Sequence, residues 1–63
     1  MAISTVMTQI GMSMTVSTLY SSLVQYYVDR GSKYPRECAA GSIGGAVHNG
    51  FIQLTNGSYC RVR

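Results

Sequence analysis

The stretch FIQLTNGSYCRV, Phe51 to Val62, decides how the chain ends. Two runs rich in strand-forming residues flank Asn56-Gly57, a pair that tolerates the positive φ angles a two-residue type I′ turn requires. This predicts a β-hairpin in which Leu54 faces Tyr59, Gln53 faces Cys60, Ile52 faces Arg61 and Phe51 faces Val62. Because successive side chains in a strand point to opposite faces, Ile52, Leu54 and Tyr59 share one face, and Phe51, Cys60 and Val62 share the other. Both faces are partly apolar, so the ribbon is expected to be covered on one side and touched on the other.

Working upstream, residues 31–45 hold Pro35, Gly41, Gly44 and Gly45. These are strong breakers, and the expectation is a Gly-rich loop with at most a short turn through Arg36 to Ala40. Before it, residues 18–30 place Leu19, Leu23, Tyr26 and Tyr27 on one face, with Ser21, Ser22, Gln25 and Asp29 largely opposite. That spacing predicts an amphipathic helix, capped by Ser17 or Thr18 and closed at Gly31 in the left-handed conformation. Earlier still, QIGMSMTVS (residues 9–17) alternates, with Ile10, Met12, Met14 and Val16 pointing one way. Period-two alternation predicts a half-buried strand over about 9–16. Residues 1–8 are expected to be irregular. The fold class is therefore α+β: a strand, a helix, a Gly-rich loop and a C-terminal β-hairpin.

Sixty-three residues are enough for one small domain, 1–63. A chain this short buries only about 60% of its unfolded surface, and such scaffolds commonly recruit disulfides, metals or a second copy. Two cysteines, Cys38 and Cys60, permit one internal bridge at most. No Lys or Arg precedes the apolar N-terminal part, which does not suit a signal peptide; a cytoplasmic protein with reduced thiols is expected. Oligomerisation is then the remaining support, and the expected contacts are the uncharged alternating strand, through Ile10, Met12 and Met14, and Tyr59 of the hairpin. An exposed apolar edge invites pairing with another chain, so the expected partner is a second copy or another protein.

The formal net charge is +3, and its placement matters more than its sum. Asp29 is the first charged residue, and all five basic residues, Arg30, Lys33, Arg36, Arg61 and Arg63, follow it. The uncharged first half is no membrane span, because Ser, Thr and Gln interrupt it far short of the roughly 20 apolar residues a span needs. The basic residues, interleaved with Tyr27, Tyr34 and Tyr59, are the candidate nucleic-acid contacts: cations pair phosphates and aromatic rings stack bases.

Other chemistry is poorly served. Cys38, His48 and Cys60 lack the paired spacing of structural zinc sites, so neither metal nor cofactor is expected. Cys38 and His48 are not spaced as a nucleophile and its base, and so small a chain has little room for an enclosed substrate pocket. Gly41-Ser42-Ile43-Gly44-Gly45 lacks the Gly-Lys-Ser/Thr ending of a phosphate-binding loop. Asn56-Gly57-Ser58 matches a glycosylation sequon, but in a cytoplasmic protein it is a turn.

Two partial resemblances bear on function. The strand-then-helix order opening on Gln9-Ile10-Gly11-Met12-Ser13-Met14 resembles the start of ribbon-helix-helix repressors, which would make Gln9, Gly11 and Ser13 the groove-reading residues of a ribbon shared by two subunits. That family needs a second helix where this chain has Pro35 and three glycines. Ala46 to Arg63 resembles the last segment of small phage repressors of the Cro type, where a helix end (Ala46-Val47-His48-Asn49-Gly50) leads into a hairpin. The expectation is a non-enzymatic binding module, either a nucleic-acid-binding regulator using a basic rim or a structural or inhibitory protein that acts through protein–protein contact.

Overall fold

The computed structural model describes residues 2–63. The elements are α1 (Ala2–Val6), β1 (Ser13–Thr15), α2 (Val16–Asp29), α3 (Pro35–His48), β2 (Ile52–Thr55) and β3 (Ser58–Arg61). The α+β class, and the strand, helix and terminal hairpin in that order, are as the sequence predicts. Three segments differ, one of them the predicted 9–16 strand, of which only Ser13–Thr15 is β1. The Gly-rich stretch is α3 and not a loop, and residues 2–6 of the segment expected to be irregular form a short helix. Met1 lies outside the described residues.

α2 begins at Val16, two residues before the predicted start, and neither Ser17 nor Thr18 is its cap. Thr15, in an extended conformation, is the N-cap, and its side-chain oxygen accepts the Thr18 N–H at 3.3 Å, satisfying a donor that lacks an intrahelical partner. The helix closes as expected at Gly31, whose φ is +76°. The Gly31 N–H donates to Val28 O and the Ser32 N–H to Tyr27 O, both at 3.0 Å, which is the Schellman pattern. α3 ends the same way: Gly50 (φ +70°) donates to Val47 O and Phe51 to Ala46 O. Its start explains why Pro35 does not break it. Pro35 occupies the first turn, where its missing N–H costs nothing and its fixed φ suits the helix; Glu37 in the same turn complements the dipole.

The hairpin register is the predicted one, Ile52 to Arg61, Gln53 to Cys60, Leu54 to Tyr59 and Thr55 to Ser58. Asn56 (φ 51°) and Gly57 (φ 78°) make the turn, and the Val62 N–H donates to Phe51 O to extend the pairing. β1 adds to β3, giving an antiparallel sheet of order β1-β3-β2. β1 is shorter than the predicted 9–16 strand. Gly11 takes φ +90°, the Met12 N–H turns back to Gln9 O, and Val16 already belongs to α2. The Gly11 N–H donates to Arg61 O and the Arg61 N–H to Met12 O, so this turn is fastened to β3.

The core is small and drawn from every layer. Ile3 and Met7 from α1 and its end, Leu19 and Leu23 from α2, and Ile52 from β2 supply the large buried side chains; Ala39 and Ala46 are α3's buried residues. Tyr27 and Ser42 join α2 to α3 by a hydroxyl hydrogen bond of 2.5 Å. Arg61 ties the N-terminal segment to the sheet: its guanidinium donates to Met7 O at 2.7 Å and lies 4.8 Å from the centre of the Phe51 ring.

Candidate nucleic-acid interface

The five predicted basic residues fall into two groups. Arg30 is the C-cap of α2, Lys33 is in the connection and Arg36 is in the first turn of α3, and all three are exposed. Arg61 and Arg63 lie at the other end of α3, where Arg63 donates to Asn49 O at the helix C-cap. With about 1.5 Å of rise per residue, α3 separates the groups by roughly 20 Å. Their states also differ. Arg61 is half-buried and engaged by Met7 O, Phe51 and Arg63 O, so its charge serves the fold. The Arg30 guanidinium lies 4.5 Å from the centre of the Tyr26 ring, while Lys33 and Arg36 are exposed and, among the described residues, make no ion pair or ring contact.

The turn that carries Arg30, Lys33 and Arg36 is held by its own bonds. Beyond the Schellman pair at Gly31 and Ser32, the Tyr34 N–H donates to Ser32 Oγ at 3.3 Å and the Cys38 N–H to Tyr34 O at 3.0 Å. Ser32 Oγ also lies 3.7 Å from Cys38 Sγ. Pro35 narrows the conformations open to Tyr34. Of the three tyrosines interleaved with the basic residues, Tyr27 is occupied by Ser42 and Tyr59 is packed against the core, whereas Tyr34 is 66% exposed. The sequence signal for it was its position between Lys33 and Arg36, ahead of a proline. Between α2 and α3, Tyr20, Ser21, Val24, Gln25 and Arg36 line a cleft of about 320 Å³. Two carboxylates stand nearby: Asp29, which accepts from the Gln25 amide at 2.8 Å, and Glu37, beside Arg36.

Along α3, the exposed positions between its ends include Ala40, Gly41, Gly44 and Gly45. No neighbouring atom lies within 4 Å of where a Cβ would stand on any of the three glycines. The helix therefore presents a nearly bare backbone, with Arg36 and Glu37 at one end and His48 at the other.

The predicted partner residues are also divided. Ile10 (69% exposed) and Met12 face solvent, whereas Met14 and Tyr59 pair across β1 and β3 and pack against the core. Leu54, 57% exposed, belongs with the outward apolar residues although it shares a face with buried Ile52. It sits at the tip end of the ribbon, beyond buried Ile52. Gln9, Gly11 and Ser13 do not form a ribbon of the ribbon-helix-helix kind. Only Ser13 is in β1, and that strand is paired with β3 of its own chain. The second helix, unforeseen because of the glycines, is present as α3, and with the predicted α2 it makes a helix pair ahead of the hairpin.

Among the described residues, no three His, Cys, Asp or Glu side chains are grouped to hold a metal ion; Cys38 and Cys60 are free thiols; and no helix is long and apolar enough to cross a membrane. No known protein family, curated protein or solved structure matches the chain.

Proposed function

We propose that the protein is a non-enzymatic nucleic-acid-binding module of the cytoplasm, with regulation as its role, and that the α2–α3 turn is its contact surface. The observation that carries this reading is the gathering of three exposed cations at one end of the helix pair, Arg30 and Lys33 on the hydrogen-bonded five-residue connection and Arg36 in the first turn of α3. Cations that neutralise backbone phosphates release condensed counterions, and this release supplies most of non-specific affinity. The end of the chain from Ala46 to Arg63, where a helix end leads into a hairpin, resembles the Cro-type segment and supports the same reading. The free thiols Cys38 and Cys60 suit a reducing compartment. The contact rests on the turn and not on α3's length, because Ala40, Gly41, Gly44 and Gly45 offer no polar side chain to a base edge.

Fluorescence anisotropy with labelled oligonucleotides, single-stranded and duplex, tests this across a salt series. Three phosphate contacts predict a log–log salt slope of about −2 to −3, set by the roughly 0.7–0.9 counterions released per contact. Replacing Lys33 and Arg36 together by Gln should flatten that slope by roughly 1.4 to 1.8. No binding of either form at low salt would end the proposal.

A second reading rests on a separate observation. Ile10, Met12, Val16 and Leu54 are all exposed in parts of the chain that carry no charge. Adaptable apolar surface of this kind suits a protein partner or a second copy, and sedimentation at increasing concentration distinguishes this case from a monomer.

A further inference from the structure

We infer that Tyr34 is a base-stacking residue and that the preferred ligand is single-stranded nucleic acid; this rests on the nucleic-acid reading of the α2–α3 turn. Tyr34 is a large aromatic side chain with two-thirds of its surface open. Its hydroxyl and ring take part in none of the hydrogen bonds or ring contacts that Tyr26 and Tyr27 make. It caps nothing with its side chain, and it is not among the side chains packed against the core.

Its backbone, by contrast, is fixed on both sides. The Tyr34 N–H is held by Ser32 Oγ, its carbonyl accepts from Cys38, and Pro35 restricts its φ and ψ. Ser32 is in turn fixed by its N–H bond to Tyr27 O. An aromatic ring with two rotatable bonds, projected from a rigid turn, loses little entropy when a ligand settles on it. Lys33 and Arg36 flank it in sequence and Arg30 stands at the start of the same turn, so backbone phosphates on either side of a stacked base find cations within the same short segment.

Single strands are favoured over duplex for a stated reason. A stacking platform needs a base whose face is open, which a duplex offers only at its ends. Reading a duplex from α3 would need side chains reaching base edges, and the middle of α3 has none. The two carboxylates of the turn, Asp29 and Glu37, leave a local balance of three cations to two anions, so stacking has to carry a large part of the affinity.

The experiment uses the full chain with a fluorescein-labelled twelve-nucleotide oligothymidylate and a hairpin-closed duplex of mixed sequence, at low salt. The expected result is tighter binding of the single strand. Tyr34→Ala should weaken it by about 5- to 150-fold, the effect of one stacked base, while Tyr34→Phe retains it. Circular dichroism of both variants should be unchanged, because the ring supports nothing in the fold. Equal affinity of Tyr34→Ala and the parent for the single strand, or preference for the duplex with Tyr34→Ala still binding it, would overturn the inference while leaving the nucleic-acid reading intact. Failure of the parent to bind either ligand removes both.

Discussion

α2 and α3 have the same length, 14 residues each, and close on the same pair of hydrogen bonds at Gly31 and Gly50, yet they are made of opposite material. α2 puts Leu19 and Leu23 wholly into the core and surrounds them with Tyr20, Val24, Tyr26 and Tyr27. α3 buries only Ala39 and Ala46, with Ile43 half-covered between them. One helix supplies the apolar volume, and the other supplies a thin surface against which that volume packs. In isolation α3 has little to hold it together: glycine costs about 1 kcal/mol relative to alanine in a helix interior, and short helices are marginal in water in any case. Its helical state comes from docking on α2 and from well-made ends. This contrast also separates the roles of the two helices, since the outward middle of α3, at Ala40, Gly41, Gly44 and Gly45, carries almost no side chain and the cations gather where the two helices meet.

The contrast can be broken most violently in the core. Leu23→Ala should cost about 2–5 kcal/mol, the usual range for a fully buried leucine, which is a large share of the roughly 5–15 kcal/mol that stabilises a typical domain. Urea denaturation followed by circular dichroism should show the variant largely unfolded or with a sharply lowered midpoint. The reverse change in α3, Ala39→Leu, should also destabilise, by about 1–3 kcal/mol, because it forces bulk into a filled contact. If Ala39→Leu proved neutral, α3 would not be closely docked and the division of labour between the helices would fail.

The difference between the helices also accounts for what the sequence reveals. The hairpin was legible to its register because Asn56-Gly57 fixes the turn and the turn fixes the pairing. α2 was legible because its apolar residues are large and recur at helical spacing. α3 has the same spacing in Ala39, Ile43 and Ala46, but alanine adds little to any hydrophobic pattern and three glycines speak locally for a loop. Pro35 looked like a stop when it is a start, and Asn49-Gly50-Phe51 is a helix end of the same kind as Arg30-Gly31-Ser32. For the site, charge alone grouped all five basic residues. Only the fold separates Arg61, used to bind Met7 O, from Arg30, Lys33 and Arg36, and only the fold shows that Tyr34 is the tyrosine left open.

A smaller effect tests that separation. Arg61→Gln removes the charged bond to Met7 O and the contact with Phe51, and hydrogen bonds to charged groups contribute about 1.5–3 kcal/mol. The expected outcome is a lower urea midpoint with little change in the slope of the salt dependence for nucleic acid. Lys33→Gln should do the converse, leaving the midpoint in place and flattening the slope by about 0.7–0.9. If Arg61→Gln altered binding without altering stability, the assignment of Arg61 to the fold would be wrong.

The smallest expected effect is the most informative about α3. Gly41, Gly44 and Gly45 have ordinary helical backbones, and a methyl group at each meets open space. Replacing any one by alanine should therefore stabilise the protein, by about 0.4–1 kcal/mol, by reducing the freedom of the unfolded chain. Gly50→Ala should do the opposite, because φ +70° is unfavourable for any residue with a Cβ. The two results together would establish that the α3 glycines are not there for the fold. Binding then says what they leave room for. If the turn and Tyr34 carry the nucleic-acid contact, Gly44→Ala gains stability and keeps its affinity for a single strand, since the added methyl group lies outside the contact. If instead the ligand lies along the bare face of α3, the same methyl group stands between the two backbones, and affinity falls while stability rises. A substitution of one hydrogen by one methyl group thus distinguishes contact at the turn from contact along the helix.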